Sequence, residues 1–336
     1  MKRATRLLIR FAVLVVAGVV GVAGWFVYYT HAEFTPRHTP LQFELRTGSS
    51  LRSAAQQMAD AGALDKPMPF VVLARLSGVA GKVKAGQYEV DGPITPLALL
   101  RKITQGDYTQ VAVTFVEGWT FRQMRRTMDE HPALKHDSEG LTDAELLRRL
   151  GINQSSPEGW FFPDTYHFNS GASDLSILRR AHRLMQARLV GEWKNRAAGL
   201  PLASPYEALI LASIIEKETG MTIDRPLIAA VLVNRLKAQM KLQADPTVIY
   251  GMGEHFDGNL RKNDLTADTP YNTYTREGLP PTPIAMPGLA SLAAALNPAP
   301  SDVLYFVSKG DGNSHFSRTL DEHNRAVTKY QKFGRH

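Results

Sequence analysis

The sequence of 336 residues predicts an α+β fold, and three observations carry that prediction. Short alternating runs such as Leu41-Gln-Phe-Glu-Leu45 are interspersed with segments whose apolar residues recur at helical spacing. Their order is mixed and lacks the regular strand–helix alternation of a doubly wound parallel sheet. An uncharged stretch near the N-terminus stands apart from both patterns. Hydrophobic residues make up 44% of the chain and charged ones 21%, which allows a sizeable core and excludes a disordered or polytopic membrane protein. With no Cys there is no disulfide framework, thiolate metal site or thiol nucleophile.

The uncharged stretch runs from Phe11 to Tyr29, 19 residues, or about 28 Å of helix against a hydrocarbon layer of ~30 Å. It predicts a single transmembrane helix. Lys2, Arg3, Arg6 and Arg10 precede it and the first charge after it is Glu33. The positive-inside rule therefore puts residues 1–10 in the cytoplasm and everything beyond about residue 30 outside. Trp25, Phe26, Tyr28 and Tyr29 form the expected outer aromatic belt. The competing reading is a cleaved signal peptide, with Gly21-Val22-Ala23 as a poor processing site; signal cores run only ~7–15 residues. These four basic residues supply more than half of the net charge of +7, so the remainder is nearly balanced, which argues against nucleic-acid binding. Residues 30–40, with Pro36 and Pro40, read as a short stiff linker.

Residues 41–106 read as a small module. After the first strand, Arg46-Thr-Gly-Ser-Ser is a turn and cap, and Leu51, Ala54, Ala55, Met58 and Ala59 mark a helix ending at Gly62. A second apolar helix covers Phe70 to Leu76, a strand Lys84 to Val90, and a third helix Pro96 to Ile103, closed by Gly106. The strand–helix–helix–strand order resembles a LysM-like module, a glycan-binding fold; a packing module without a ligand of its own fits equally well.

Residues 107–336 read as a larger mixed α+β domain. Gln110 to Val116 is a β-rich run, and Thr120 with Gln123 and Thr142 with Glu145 are capping boxes opening helices. A long amphipathic helix covers Leu175 to Ala197. Two further helices, Pro- and Gly-rich loops, strands at Val303–Val307 and His315–Ser317, and a helix from Leu320 to Lys332 complete the chain.

The segment from Ser204 to Gly220 holds the clearest chemistry. Ser204 with Glu207 is a capping box, Pro205 suits the first helical position and Gly220 the C-terminal cap. Between Ala208 and Ile215 nearly every residue is apolar, so the helix is buried on most sides and delivers Glu216 and Glu218 in its last turn. Burial and the negative end of the helix dipole both favour a protonated carboxyl, as a general acid requires. Two residues apart on a helix, Glu216 and Glu218 point about 200° apart and cannot form a facing pair. Two surface carboxylates flanking Lys217 are the plainer alternative. Beyond this helix, Leu242–Gly251 reads as a polar loop with an Asp-Pro turn, and Thr269–Thr275 presents two tyrosines with Asn and Thr between them. Such rings stack on sugar faces while amides and hydroxyls meet sugar hydroxyls; a rigid structural loop is the alternative.

Leu211-Ala-Ser-Ile-Ile-Glu-Lys-Glu-Thr219, Leu242-Gln-Ala-Asp-Pro-Thr-Val-Ile-Tyr-Gly251, Tyr271-Asn-Thr-Tyr274 and Gly278-Leu-Pro-Pro281 together closely resemble the YceG-like family of endolytic murein transglycosylases. Glu158-Gly-Trp-Phe-Phe-Pro-Asp-Thr-Tyr166 and Tyr305-Phe-Val match as well, with Phe162 a conservative departure. The resemblance implies cleavage within nascent peptidoglycan strands between N-acetylmuramic acid and N-acetylglucosamine, leaving 1,6-anhydromuramyl ends. It assigns the acid/base role to Glu216 and brings Gln243, Asp245, Tyr271, Asn272 and Tyr274, with Glu158 and Glu218, to the substrate cleft. It implies a single-pass protein of the inner (cytoplasmic) membrane, its catalytic domain in the periplasm, with peptidoglycan strands and peptidoglycan synthases as partners. No cofactor or metal is expected: His255, His315 and His323 lack the tight spacing of a ligand set. A membrane-anchored, non-catalytic glycan-binding scaffold is the rival reading.

Overall fold

The structure, a computed structural model, describes residues 2–106 and 110–332. Two compact units are present: Met1–Val111 with His167–Gly171, and Ala112–Tyr166 with Ala172–His336. The domain boundary expected between 106 and 107 abuts residues 107–109, which lie outside the described residues.

In the first unit, helix α1 spans Lys2–His31. Its segment Arg10–His31 has a mean hydropathy of 2.3, and it is the one helix among the described residues long and apolar enough to cross a membrane. At its end Trp25 stacks on Tyr29, and the Tyr29 hydroxyl donates to the Lys66 carbonyl. Strand β1 (Leu41–Leu45) pairs antiparallel with β2 (Gly86–Val90), Phe43 opposite Tyr88. Between them lie α2 (Leu51–Asp60) and α3 (Pro67–Leu76), and α4 (Pro96–Gln105) follows. The predicted element order is therefore present. Ser50 and Thr95 cap α2 and α4 with their side chains, and Gly106 ends α4 in the left-handed conformation at φ 81°. Leu41, Phe43 and Leu45 alternate inward and close on Met58, Phe70, Leu99 and Ile103. Each such side chain contributes about 1.5–3 kcal/mol by leaving water.

The second unit is mainly helical. Strand β3 (Gln110–Thr114) leads to α5 (Phe121–Asp129), and α6 (Asp143–Leu150) follows a two-residue strand, β4 (Leu134–Lys135). Both predicted capping boxes are formed, at Thr120/Gln123 and Thr142/Glu145. Next come β5 (Thr165–Asn169), β6 (Ala172–Ser173, parallel to β4) and α7 (Asp174–Lys194). Helix α8 (Pro205–Glu218) packs against α7, α9 (Arg225–Lys237), α10 (Asp245–Met252) and α12 (Leu289–Leu296). A short α11 (Lys262–Thr266) precedes α12, and the antiparallel pair β7 (Tyr305–Ser308) and β8 (Ser314–Ser317) precedes α13 (Leu320–Val327).

Two local expectations are corrected. Residues 245–252 form a helix and not a loop, because Asp245-Pro246 is a helix start: proline at the first turn lacks only an N–H that would be unpaired anyway. Helix α8 ends at Thr219 in extended conformation (φ −150°), with the Thr219 hydroxyl accepting from Met221 N–H, so Gly220 is not its cap.

Candidate active site

Helix α8 is buried continuously from Ala208 to Glu216. Its N-terminus is capped by the Ser204 hydroxyl, which accepts from Glu207 N–H; the Glu207 carboxylate accepts from Ala203 N–H, so the expected reciprocal box is displaced by one residue. The buried hydroxyl of Ser213 donates to Ile210 O and accepts from Ile284 N–H, tying the 284–288 segment along the helix. At the far end the Glu216 side chain is only 4% exposed. Its Oε1 lies 2.9 Å from Arg225 Nη2 and its Oε2 accepts from Gly288 N–H at 2.9 Å.

A second carboxylate stands beside this pair. Glu117 Oε2 lies 3.8 Å from the same Arg225 Nη2, with the Glu117 side chain 49% exposed. Partial burial and the neighbouring Glu216 charge raise the Glu117 pKa, and Arg225 opposes them. The adjoining backbone is fixed on three sides: Gly118 N–H donates to Met286 O, Met286 N–H donates to Trp119 O, and Lys217 Nζ donates to Gly118 O at 3.2 Å. Glu117, Arg225 and Gly288 are the site residues that sequence reasoning missed. Nothing in a linear reading joins a Glu after a β-run, an Arg opening a helix and a Gly before another.

Glu218 faces a different environment, as the spacing requires. It is half-buried, and burial first, then the charge of Asp245, push its pKa up to about 8 against the opposing Arg235. Of the two carboxyls at this helix end, Glu218 is the one whose pKa burial raises, whereas Glu216 is engaged in an ion pair. Around Glu218 gather several predicted residues. Asp245 Oδ1 accepts from Tyr274 OH at 2.5 Å, and Arg235 donates to Gln243 Oε1 at 3.2 Å and to Leu242 O at 2.9 Å. Gln243 and Asp245 are exposed and Tyr274 is half-buried.

Glu158 and Asn272 are turned inward. Glu158 is 4% exposed and accepts from Phe121 N–H at 2.9 Å and Tyr250 OH at 3.0 Å. Burial, the largest cause, raises its pKa to about 7 against those hydrogen bonds. The following Gly159 adopts φ 82°, where a Cβ would lie 2.6 Å from the Pro283 ring. Asn272 is fully buried: its amide donates to the carbonyls of Asp264, Leu265 and Ala267, and its oxygen accepts from Tyr274 N–H. Its amide and its oxygen are thus both engaged within its own loop. Tyr271 packs edge-on against Tyr250 and shares a hydrogen bond with Thr282.

A cleft of about 840 Å³ adjoins these residues, lined among others by Arg122, Gln123, Glu158, Lys217, Tyr250 and Phe256. Lys217 reaches this wall while the neighbouring Glu216 carboxylate is taken up by Arg225 and Gly288 and is not among the lining groups. Among the described residues no three His, Asp or Glu side chains converge as a metal site; His323 stacks on Tyr305 and His315 lies against Tyr330.

The sequence profile of the YceG-like family matches residues 43–329. The chain belongs to the YceG-like family. It is 32% identical to the endolytic murein transglycosylase of Bacillus subtilis (strain 168), over 87% of this chain and 85% of that protein. The protein of the same name from Streptococcus pneumoniae (strain D39) is 26% identical over 84% of this chain, which spans only 57% of that longer protein. The crystal structure of a YceG-like protein from Listeria monocytogenes superposes with a TM-score of 0.55 at 30% identity, covering 85% of this chain and 98% of that one.

Proposed function

We propose that this chain is an endolytic murein transglycosylase, a lyase acting on peptidoglycan, as the names of its relatives indicate. The observation that supports the reading is the buried Glu216, held by a guanidinium and a backbone N–H at the end of a nearly all-apolar helix. Protonated, Glu216 gives its proton to the glycosidic oxygen leaving C1 of the N-acetylmuramyl sugar. The muramyl C6 oxygen then bonds to C1, and its proton passes to the Glu216 carboxylate. One C–O bond breaks and one forms, no water is consumed, and Glu216 regains its proton. A conventional glycoside hydrolase needs a second carboxylate to attack the sugar or activate water; here the substrate supplies the nucleophile. Gln243, Asp245 and Tyr274, exposed or half-buried beside Glu218, meet sugar hydroxyls, and Asn272 keeps their loop in shape.

The apolar helix Arg10–His31 serves as an inner-membrane anchor, with the basic N-terminus in the cytoplasm and the chain beyond it in the periplasm. Tethering raises the local concentration of the enzyme at newly made strands, where cleavage ends elongation beside the peptidoglycan synthases. Residues 41–106 then act as the LysM-like, strand-contacting module.

Mass spectrometry of fragments released from purified peptidoglycan tests this reading, comparing wild type with Glu216→Gln. The expected result is 1,6-anhydromuramyl ends from the wild type and none from the variant. Reducing muramyl ends would overturn the lytic mechanism and make Glu117 the second carboxylate of a hydrolase. No cleavage by folded wild type would favour a glycan-binding scaffold.

A further inference from the structure

The acid role of Glu216 sets a problem that the geometry around Arg225 answers. A general acid must be uncharged, yet Glu216 is ion-paired through Oε1 to a guanidinium that is itself only 7% exposed. Protonating Glu216 with nothing else nearby would leave Arg225 as an uncompensated buried charge, among the costlier defects in a protein interior. The same Nη2 that contacts Glu216 at 2.9 Å stands 3.8 Å from Glu117 Oε2. That separation is just beyond a hydrogen bond. The buried Nε of Arg225 has no hydrogen-bond partner, so the guanidinium is not locked along that edge. We propose that Glu117 is the alternate partner of Arg225, taking up the guanidinium when Glu216 carries the proton and releasing it when Glu216 is a carboxylate.

Gly288 supports this assignment independently. Its backbone sits at φ −76° and ψ 174°, a conformation open to any residue, so conformational freedom does not explain a glycine there. Space does: a Cβ at 288 would overlap the Glu117 carboxylate. The same residue donates its N–H to Glu216 Oε2. One glycine thus makes room for one carboxylate and holds the other. The charged groups facing Glu117 are Glu216 from α8 and Arg225 from α9, and Lys217 Nζ is bound to the adjacent Gly118 carbonyl. Glu117 is accordingly a positioning residue acting through Arg225, and its function rests on the acid/base reading of Glu216.

Glu216→Gln imitates the neutral acid and separates this proposal from that reading, because its readout needs no catalysis. In a crystal structure of Glu216→Gln, Arg225 Nη2 is expected to close from 3.8 Å to hydrogen-bonding distance of Glu117, about 2.7–3.2 Å. In carbon NMR titration of the glutamate carboxyls of the detergent-solubilised full chain, the Glu117 midpoint is expected to fall in Glu216→Gln. The fall is on the order of one pH unit, as a like charge is lost and an ion pair gained. Arg225 still on residue 216, or an unmoved Glu117 midpoint, overturns the proposal. In catalysis, Glu117→Gln is expected to move the alkaline limb of strand cleavage to lower pH, again by on the order of one unit, since the two carboxyls titrate as a pair. Glu117→Asp restores most of that limb, and Gly288→Ala, which displaces the carboxylate, reproduces the shift. A uniform loss at every pH in Glu117→Gln would mark a merely structural side chain and refute the exchange. A wild type that transfers Arg225 in this way but makes no anhydro ends would refute the lytic function alone.

Discussion

Glu158→Gln is the substitution whose outcome is best defined by the geometry. Burial of Glu158 outweighs the hydrogen bonds it accepts from Phe121 N–H and Tyr250 OH, so ionising it in the folded chain costs free energy. The displacement from the ordinary 4.5 to about 7 corresponds, at about 1.4 kcal/mol per pH unit, to about 3 kcal/mol. The folded state binds this proton more tightly than the unfolded chain does. Its contribution to stability is therefore complete below about pH 4.5 and lost as the pH rises through about 7. Glutamine keeps an acceptor for Phe121 N–H and never ionises. The stability of Glu158→Gln relative to wild type should thus rise by about 3 kcal/mol between pH 4.5 and pH 8.5. Glu218, also raised, to about 8, is present in both proteins and cancels in the difference. Urea unfolding of the detergent-solubilised chain, followed by tryptophan fluorescence at several pH values, measures it. A difference that stays constant across this range refutes the argument that burial governs this carboxyl.

Two further perturbations address the site. Arg225→Met strands the Glu216 carboxylate in the interior and should destabilise the chain by about 3–5 kcal/mol; adding Glu216→Gln should recover part of that loss, and strict additivity in the urea cycle would deny the ion pair. Asn272→Ala leaves the carbonyls of Asp264, Leu265 and Ala267 without their donor. It should cost about 1–3 kcal/mol in urea unfolding near neutral pH, and a cost near zero would show that water replaces the amide freely.

Local signals were read well where one segment held all the information. The Ser204 cap, Pro205 and the apolar run from Ala208 to Ile215 define α8 without help from elsewhere, and Thr120/Gln123 and Thr142/Glu145 announce their helices equally well. Asp245-Pro246 misled because the same dipeptide serves a turn or a helix start, and packing against α8 chooses the helix. For Asn272 the sequence shows only an amide between two tyrosines; that this amide closes three carbonyls of its own loop is a tertiary fact. Glu216 was legible as a candidate, but its environment was not. Gly288 lies 72 residues away along the chain, and neither helix dipole nor burial reveals the guanidinium between two carboxylates.

The fixing of residues 117–119 by Met286 and Lys217 has a consequence for when this chain can act. Glu216 takes its surroundings from the 117–119 turn after β3, from the start of α9 and from the segment before α12. Contacts so far apart in sequence carry a loop-closure cost that only the nearly finished fold repays. A chain still being made, or opened at the 284–288 segment, does not assemble the full set of partners around Glu216. The surroundings of Glu216 thus belong to the finished fold and to no shorter part of it.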